Sequence, residues 1–477
     1  MLTQKDEFMK KEFIHKDFLL DTKTASLLYH TYAESLPIID YHCHIPPKDV
    51  AENRQFENMT QVWLAGDHYK WRAMRACGVN EHFITGSASD WEKFEKWACT
   101  VPKTIRNPLF HWTHLELKRP FGISDKLLNE KTTKAIWEEC NAKLATSGFT
   151  AQGIAKRMKV EVICTSDDPI DSLEYHEAYE KNGNGFTCML PTFRLDKAMA
   201  VENASDFSVY IKKLEAVSKT EVKDFESLIS AIRARHDFFH SRGCRVSDHS
   251  LETIYAEDYT ESEIKSIFKK LRKGKNLDAN EIFKFKSAML YEFGLMDYEK
   301  SWVQQFHIGV IRNNNSRMMQ AVGYDAGCDS IGDFEVAMPL AKFLNRLDEQ
   351  NKLTKTIFYN LNPRDNELLA TMIGNFQDGS IAGKLQYGSA WWFLDQLDGM
   401  RKQIETLSNL GILSQFIGML TDSRSLLSYP RHEYFRRLLC NILGSEIERG
   451  LIPNDIKLIG GMIQDICYNN AKEYFGF

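Results

Sequence analysis

No part of this 477-residue chain approaches the ~20 consecutive apolar residues that a membrane-crossing helix needs, so a helical bilayer span is excluded. Charge of neither sign is in excess. Sixty Lys and Arg face 65 Asp and Glu, a net charge of −5, which leaves neither the basic footprint of a nucleic-acid binder nor an acidic tail. The ten cysteines include no Cys-x-x-Cys pair. Cys164, ending the run Val160 to Cys164, and Cys188, before Met189 and Leu190, sit in apolar runs and are expected to be buried free thiols of a reducing compartment. Met1 to Lys11 lacks the apolar core of a secretory signal, so the expected location is cytoplasmic. A phosphate-cradling glycine loop is also missing, since Gly183-Asn184-Gly185 reads as a turn. These absences leave small-molecule chemistry.

What is present is a recurrence of short apolar runs that end in polar residues, the pattern of buried strands. They are Leu36–Asp40 leading into Tyr41-His42-Cys43-His44, Val160–Thr165, Thr187–Phe193 ending in Arg194, Cys244–Val246 running into Ser247-Asp248-His249, Val303–Val310, Thr356–Leu361, Lys384–Tyr387 and Gln415–Leu420. Helical spacing separates the later ones, as in Phe225, Leu228 and Ile232 or Ile282, Phe285, Met289 and Phe293. Asp333–Leu347, Arg364–Ile373 and Asp395–Leu410 read as further helices, and Ser425–Leu443 and Asn454–Tyr474 as terminal ones. Eight strands alternating with helices predict an α/β fold, a distorted (β/α)8 barrel, with a doubly wound parallel sheet as the competing architecture.

Residues 50–150 break the repeat. They show no convincing strand yet hold six of the nine tryptophans, from Trp63 to Trp137, which need a core of their own. The expected organisation is residues 1–49 as the N-terminal segment and first strand, 50–150 as a helical insertion, and 151–477 as the rest of the barrel with C-terminal helices.

Residues i and i+2 of a strand share a face, so His42 and His44 present two imidazoles side by side, a start for a divalent-metal site. Asp422, at the end of the last run, reads either as a third ligand beside strand one or as a helix N-cap. His307, Arg194 and Arg424 also end strands, where barrel active sites gather. Two guanidiniums at one mouth imply an anionic substrate, unless each is an ordinary salt bridge. No lysine is in place to bridge a second metal, so a binuclear hydrolytic centre is under-supplied.

Longer motifs narrow the reading. Asp40-Tyr41-His42-Cys43-His44, Gly66-Asp67-His68-Tyr69-Lys70-Trp71-Arg72, Pro191-Thr192-Phe193-Arg194, Gly243 to His249, Gln305 to Gly309 with Arg312 to Asn315, and Thr421-Asp422-Ser423-Arg424-Ser425 resemble, in order, the uronate isomerases of the amidohydrolase superfamily. The resemblance covers essentially the whole chain. It implies a (β/α)8 barrel with a helical insertion after strand one, and interconversion of D-glucuronate with D-fructuronate and of D-galacturonate with D-tagaturonate. It also implies one divalent cation, often zinc, on His42, His44 and Asp422, with Tyr69, Arg194, His307 and Arg424 around the sugar acid. Tyr69 enters through the resemblance alone. As proton carrier its phenol is expected well below the usual value of about 10. A homo-oligomer that binds neither nucleic acid nor membrane is expected. The alternatives are a metal-dependent hydrolase of an acidic amide, ester or lactone, and a non-catalytic sugar-acid-binding barrel.

Overall fold

The computed structural model describes residues 12–183 and 185–477. The Met1 to Lys11 reading and the Asn184 position of the expected turn lie outside the described residues. The described residues form ten strands: β1 (Ile38–Asp40), β2 (Val160–Cys164), β3 (Cys188–Leu190), β4 (Phe193–Arg194), β5 (Val246–Leu251), β6 (Val303–Ile308), β7 (Val310–Ile311), β8 (Ser330–Ile331), β9 (Thr356–Asn360) and β10 (Leu385–Tyr387). β1-β2-β3 and β4-β5-β6-β9-β10 pair parallel in sequence order, and a parallel bridge from Asp167 to Phe193 joins the two runs. A doubly wound sheet would reverse its strand order partway. This one does not. All six residues of β6 and all five of β9 are buried, as in a parallel strand covered on both faces, although β6 carries Gln304, Gln305 and His307.

The expected eighth strand, Gln415–Leu420, is not one. A 3-10 turn occupies Leu413–Gln415, and Gly418 then takes a φ of +76°, which breaks the extended run. The segment still closes the barrel by other bonds. Gln386 donates to the Gln415 carbonyl on one side, and Asp40 accepts from the Thr421 N–H on the other, at 2.9 and 2.8 Å. A Cβ on Gly418 would lie 2.3 Å from the Ile466 carbonyl oxygen. Gly418→Ala is therefore expected to destabilise by about 2 kcal/mol or more, read as a lower urea midpoint, because both the left-handed backbone and the close approach exclude a side chain.

Other boundaries shift for local reasons. Pro191 splits the third run into β3 and β4, and Gly309 at φ +99° separates β6 from β7. The fourth strand starts at Val246, two residues later than expected, and carries Ser247, Asp248 and His249 inside it. Buried polar residues are tolerated there where they are partnered, as Ser247 is by Asp297 at 2.5 Å. The antiparallel pair β7–β8 was not expected. All ten cysteines are free and Cys164 is buried, but Cys188, the first residue of β3, is exposed, against expectation.

Helices flank the strands. Phe225–Ser241 and Ala279–Lys300 begin at capping boxes, Asp224 with Ser227 and Asp278 with Glu281. Pro430 opens Pro430–Glu448, after a 3-10 turn at Leu426–Ser428. Between residues 50 and 150 helices His68–Ala76, Asp90–Thr100, Pro108–Lys118 and Thr133–Leu144 enclose Trp63, Trp97, Trp112 and Phe94 in a buried cluster. Asp67 caps the first of these through the Lys70 N–H. The buried Lys70 ammonium ties Asp67 (2.5 Å) to Glu116 (3.6 Å), and Trp63 donates to Glu116. This network fixes the helix turn that carries Tyr69. Among the described residues no helix is long and apolar enough to cross a membrane.

Candidate active site

A cleft of about 470 Å³ opens where the strands end. Its lining brings together every residue singled out from the sequence: His42, His44, Tyr69, Arg194, His307, Asp422 and Arg424. His42 and His44 follow β1, and the chain past Gly418 returns Asp422 beside them. The Asp422 N–H donates to the His42 carbonyl, and the His44 N–H to that of Ser423. Nε2 of His42 and of His44 lie 3.2 and 3.1 Å from the same Asp422 oxygen, Oδ1. Tetrahedral metal bonds of about 2.0–2.1 Å would set neighbouring donors about 3.4 Å apart, so these three side chains can hold one small divalent ion. Asp422 is not a helix cap; the Ser425 hydroxyl caps the following turn by accepting from the Leu427 N–H. The second Asp422 oxygen, Oδ2, accepts from Trp391 Nε1 at 2.7 Å, which fixes the carboxylate's rotation.

The charges follow from these contacts. Burial opposes the charge on Asp422, but its bonds to both rings outweigh burial and hold the carboxyl well below its usual range. Burial lowers the His44 ring to about 4, leaving it neutral and able to ligate. Burial would also lower His42, but the carboxylates of Asp248 and Asp422 raise it instead.

Asp248, in β5, organises the other wall. Its Oδ1 lies 2.7 Å from His307 Nδ1, and its Oδ2 lies 3.0 Å from Arg194 Nη1. Arg194 also pairs with Asp196 at 2.9 Å. His42, Asp248 and His307 are close enough to form a second metal-binding group, but Arg194 already neutralises this carboxylate. His307 stacks on Tyr359 at 4.4 Å and stays below its usual pKa because of burial. Arg424, the second strand-end arginine, is held by Asp325 at 2.9 Å. Both arginines are therefore salt-bridged and both line the cleft.

The phenol of Tyr69 departs in the direction opposite to the one expected: burial and the Asp422 charge push it well above its usual range, against the pull of Arg431.

Sequence reasoning missed several members of the site. Asp248 was quoted in a motif but not chosen. Arg312, just after β7, also falls in a motif without being singled out, whereas Trp391 and Asp325, the latter in the loop after β7, had no local signal. Asp325 takes a φ of +55°, and its Oδ1 is 3.7 Å from Arg312.

The model of the glucuronate isomerase family matches residues 9–475. The uronate isomerase of Cellvibrio japonicus is 61% identical over 98% of this chain and 99% of its own. That of Bacteroides thetaiotaomicron is 59% identical over 98% of this chain and all of its own. The crystal structure of uronate isomerase from Thermotoga maritima, 34% identical, superposes with a TM-score of 0.92 over 98% of this chain and all of that one. Glucuronate isomerase from Caulobacter crescentus, 25% identical, gives 0.90 over 97% of each chain.

Proposed function

This chain belongs to the glucuronate isomerase family, and we infer that it is a uronate isomerase, an aldose–ketose isomerase acting on D-glucuronate and D-galacturonate. The observation that carries this reading is the content of the cleft. A three-donor metal group, the Tyr69 phenol and four guanidiniums, Arg194 and Arg424 among them, share one space sized for a sugar acid. Nothing in it favours hydrolysis of an amide, ester or lactone.

His42, His44 and Asp422 would hold one divalent cation, for which we propose zinc given two nitrogens and one oxygen. Bound there, the cation would supply positive charge to the sugar oxygens. Asp422 opens the sugar ring and moves protons between O1 and O2. Tyr69 carries the proton from C2 to C1. Because its phenol starts neutral, it passes its own proton to the Asp422 carboxylate as the substrate enters, leaving a phenolate to take the C2 proton and a carboxylic acid to protonate O1, and the cations around the cleft offset the charge the phenol acquires. His307, held in one orientation by Asp248, bonds a substrate hydroxyl. Arg194 and Arg424 hold the carboxylate and the developing enediolate. We also propose that residues 1–49, 50–150 and 151–477 act as N-terminal strand segment, helical insertion and barrel remainder, in a cytoplasmic homo-oligomer that sizing chromatography would detect.

A proton NMR time course with D-glucuronate and D-galacturonate, in deuterated buffer with zinc supplied, tests the reading. The expected result is ketose carrying solvent deuterium at C1. Absence of conversion of either sugar would overturn the activity, and ketose free of deuterium would replace proton transfer with hydride transfer.

Asp325→Asn is expected to lower KM for D-glucuronate by about two- to fivefold in steady-state assays, because it frees Arg424. An ion pair half open to water holds at most about 1 kcal/mol. Asn accepts the left-handed backbone at this position, so the fold should be undisturbed.

A further inference from the structure

The helix Pro430–Glu448 places Arg431 on the floor of the same cleft, 3% exposed. Its Nη1 donates to the Thr421 carbonyl at 3.0 Å and pairs with Asp395 Oδ2 at 3.2 Å. The guanidinium carbon lies 4.2 Å from the ring centroid of Trp112 and 5.6 Å from that of Tyr69. Thr421 immediately precedes Asp422, whose φ is +47°. Asp40 holds the Thr421 N–H and hydroxyl at 2.8 and 2.6 Å, so Arg431 completes the grip on that residue from its carbonyl side.

One guanidinium therefore holds the turn that aims Asp422 while facing the ring of Tyr69. Burying a cation is expensive, and an apolar side chain of similar volume could fill the space against Trp112 without that desolvation. The charge lies against the Tyr69 ring and bonds the residue next to Asp422, and it works against the burial and the Asp422 charge that raise the phenol.

We propose that Arg431, with Asp395 as its counter-ion, is a positioning residue for the isomerisation. It fixes Asp422 and Tyr69 relative to each other and offsets the negative charge that passes between them. The proposal rests on the reading that Tyr69 and Asp422 carry the protons.

Removing Arg431 alone would strand the buried Asp395 carboxylate, so the test uses the double variant Arg431→Met/Asp395→Asn with Arg431→Lys beside it. Steady-state kinetics would be measured with D-glucuronate and with its C2-deuterated form, alongside thermal melts. In the double variant kcat should fall about thirtyfold or more while KM changes less than about threefold, and the C2 isotope effect should rise as proton transfer becomes limiting. Arg431→Lys keeps the charge but has no planar guanidinium to lie on Trp112 and must reach Thr421 and Asp395 with a differently placed ammonium, so its kcat should fall only about tenfold, between the parent and the double variant. Turnover within about threefold of the parent in the double variant would overturn the proposal. So would a loss of kcat with an unchanged isotope effect and no recovery in the lysine variant. Should the double variant fail to fold, the lysine variant decides alone: parental kcat overturns the proposal, and reduced kcat with a raised isotope effect supports it. Tyr69→Phe separates the two readings, because unaltered turnover there removes the premise whatever Arg431 does.

Discussion

Asp422→Asn is expected to lower kcat by about three to four orders of magnitude in a steady-state assay with metal supplied. Asp422 is the one carboxylate whose oxygen meets both histidine rings, at 3.2 and 3.1 Å, and its other oxygen is occupied by Trp391. An amide is nearly isosteric and can still accept from Trp391, so the fold should persist. Its nitrogen would then face the two rings, cannot ligate, and cannot take a proton from a sugar hydroxyl. Metal content per chain should fall together with activity. A variant that kept more than about a tenth of the parent kcat would remove Asp422 from both the metal site and the proton path.

Much of this arrangement was legible in the sequence because the parallel strands are buried on both faces. Such strands read as apolar runs whose first polar residues mark the C-terminal rim; His42, His44 and Arg194 were found that way, and His307 as the residue ending a strand that already holds Gln304 and Gln305. The eighth segment was placed correctly but described wrongly, since Gly418 makes the closing turn in a conformation that no periodicity signals. Asp248 was overlooked because a carboxylate inside a strand makes sense only once Arg194 and His307 are seen on either side of it. Arg431 and Asp325 act across the fold, from a C-terminal helix and a loop near β8, so no local spacing could identify them. Tyr69 is different again. It lies in the first turn of a helix in the insertion, and only its whole motif pointed to it.

Tyr69→Phe is expected to reduce kcat by about three orders of magnitude while leaving KM within about threefold. The ring would keep its packing, since Tyr69 stacks on His68 at 4.8 Å and meets Trp112 edge-on at 6.1 Å, so the loss would belong to the hydroxyl. Aldose–ketose isomerisation needs a group that can reach both C2 and C1 on one face of the enediolate, and Tyr69, from the insertion, lines the same cleft as the metal group. Burial and the Asp422 charge make the phenol costly to ionise, so its ionisation is expected to be coupled to substrate binding, and ultraviolet difference spectra of the metal-free, substrate-free protein near neutral pH should show no phenolate band. Two results would count against this account: a Tyr69→Phe variant with near-parental turnover, or a phenolate band in the substrate-free parent. The first would move the carbon proton to Asp422 or to a hydride path, and the second would mean that the charge balance around Tyr69 favours the anion before the sugar arrives.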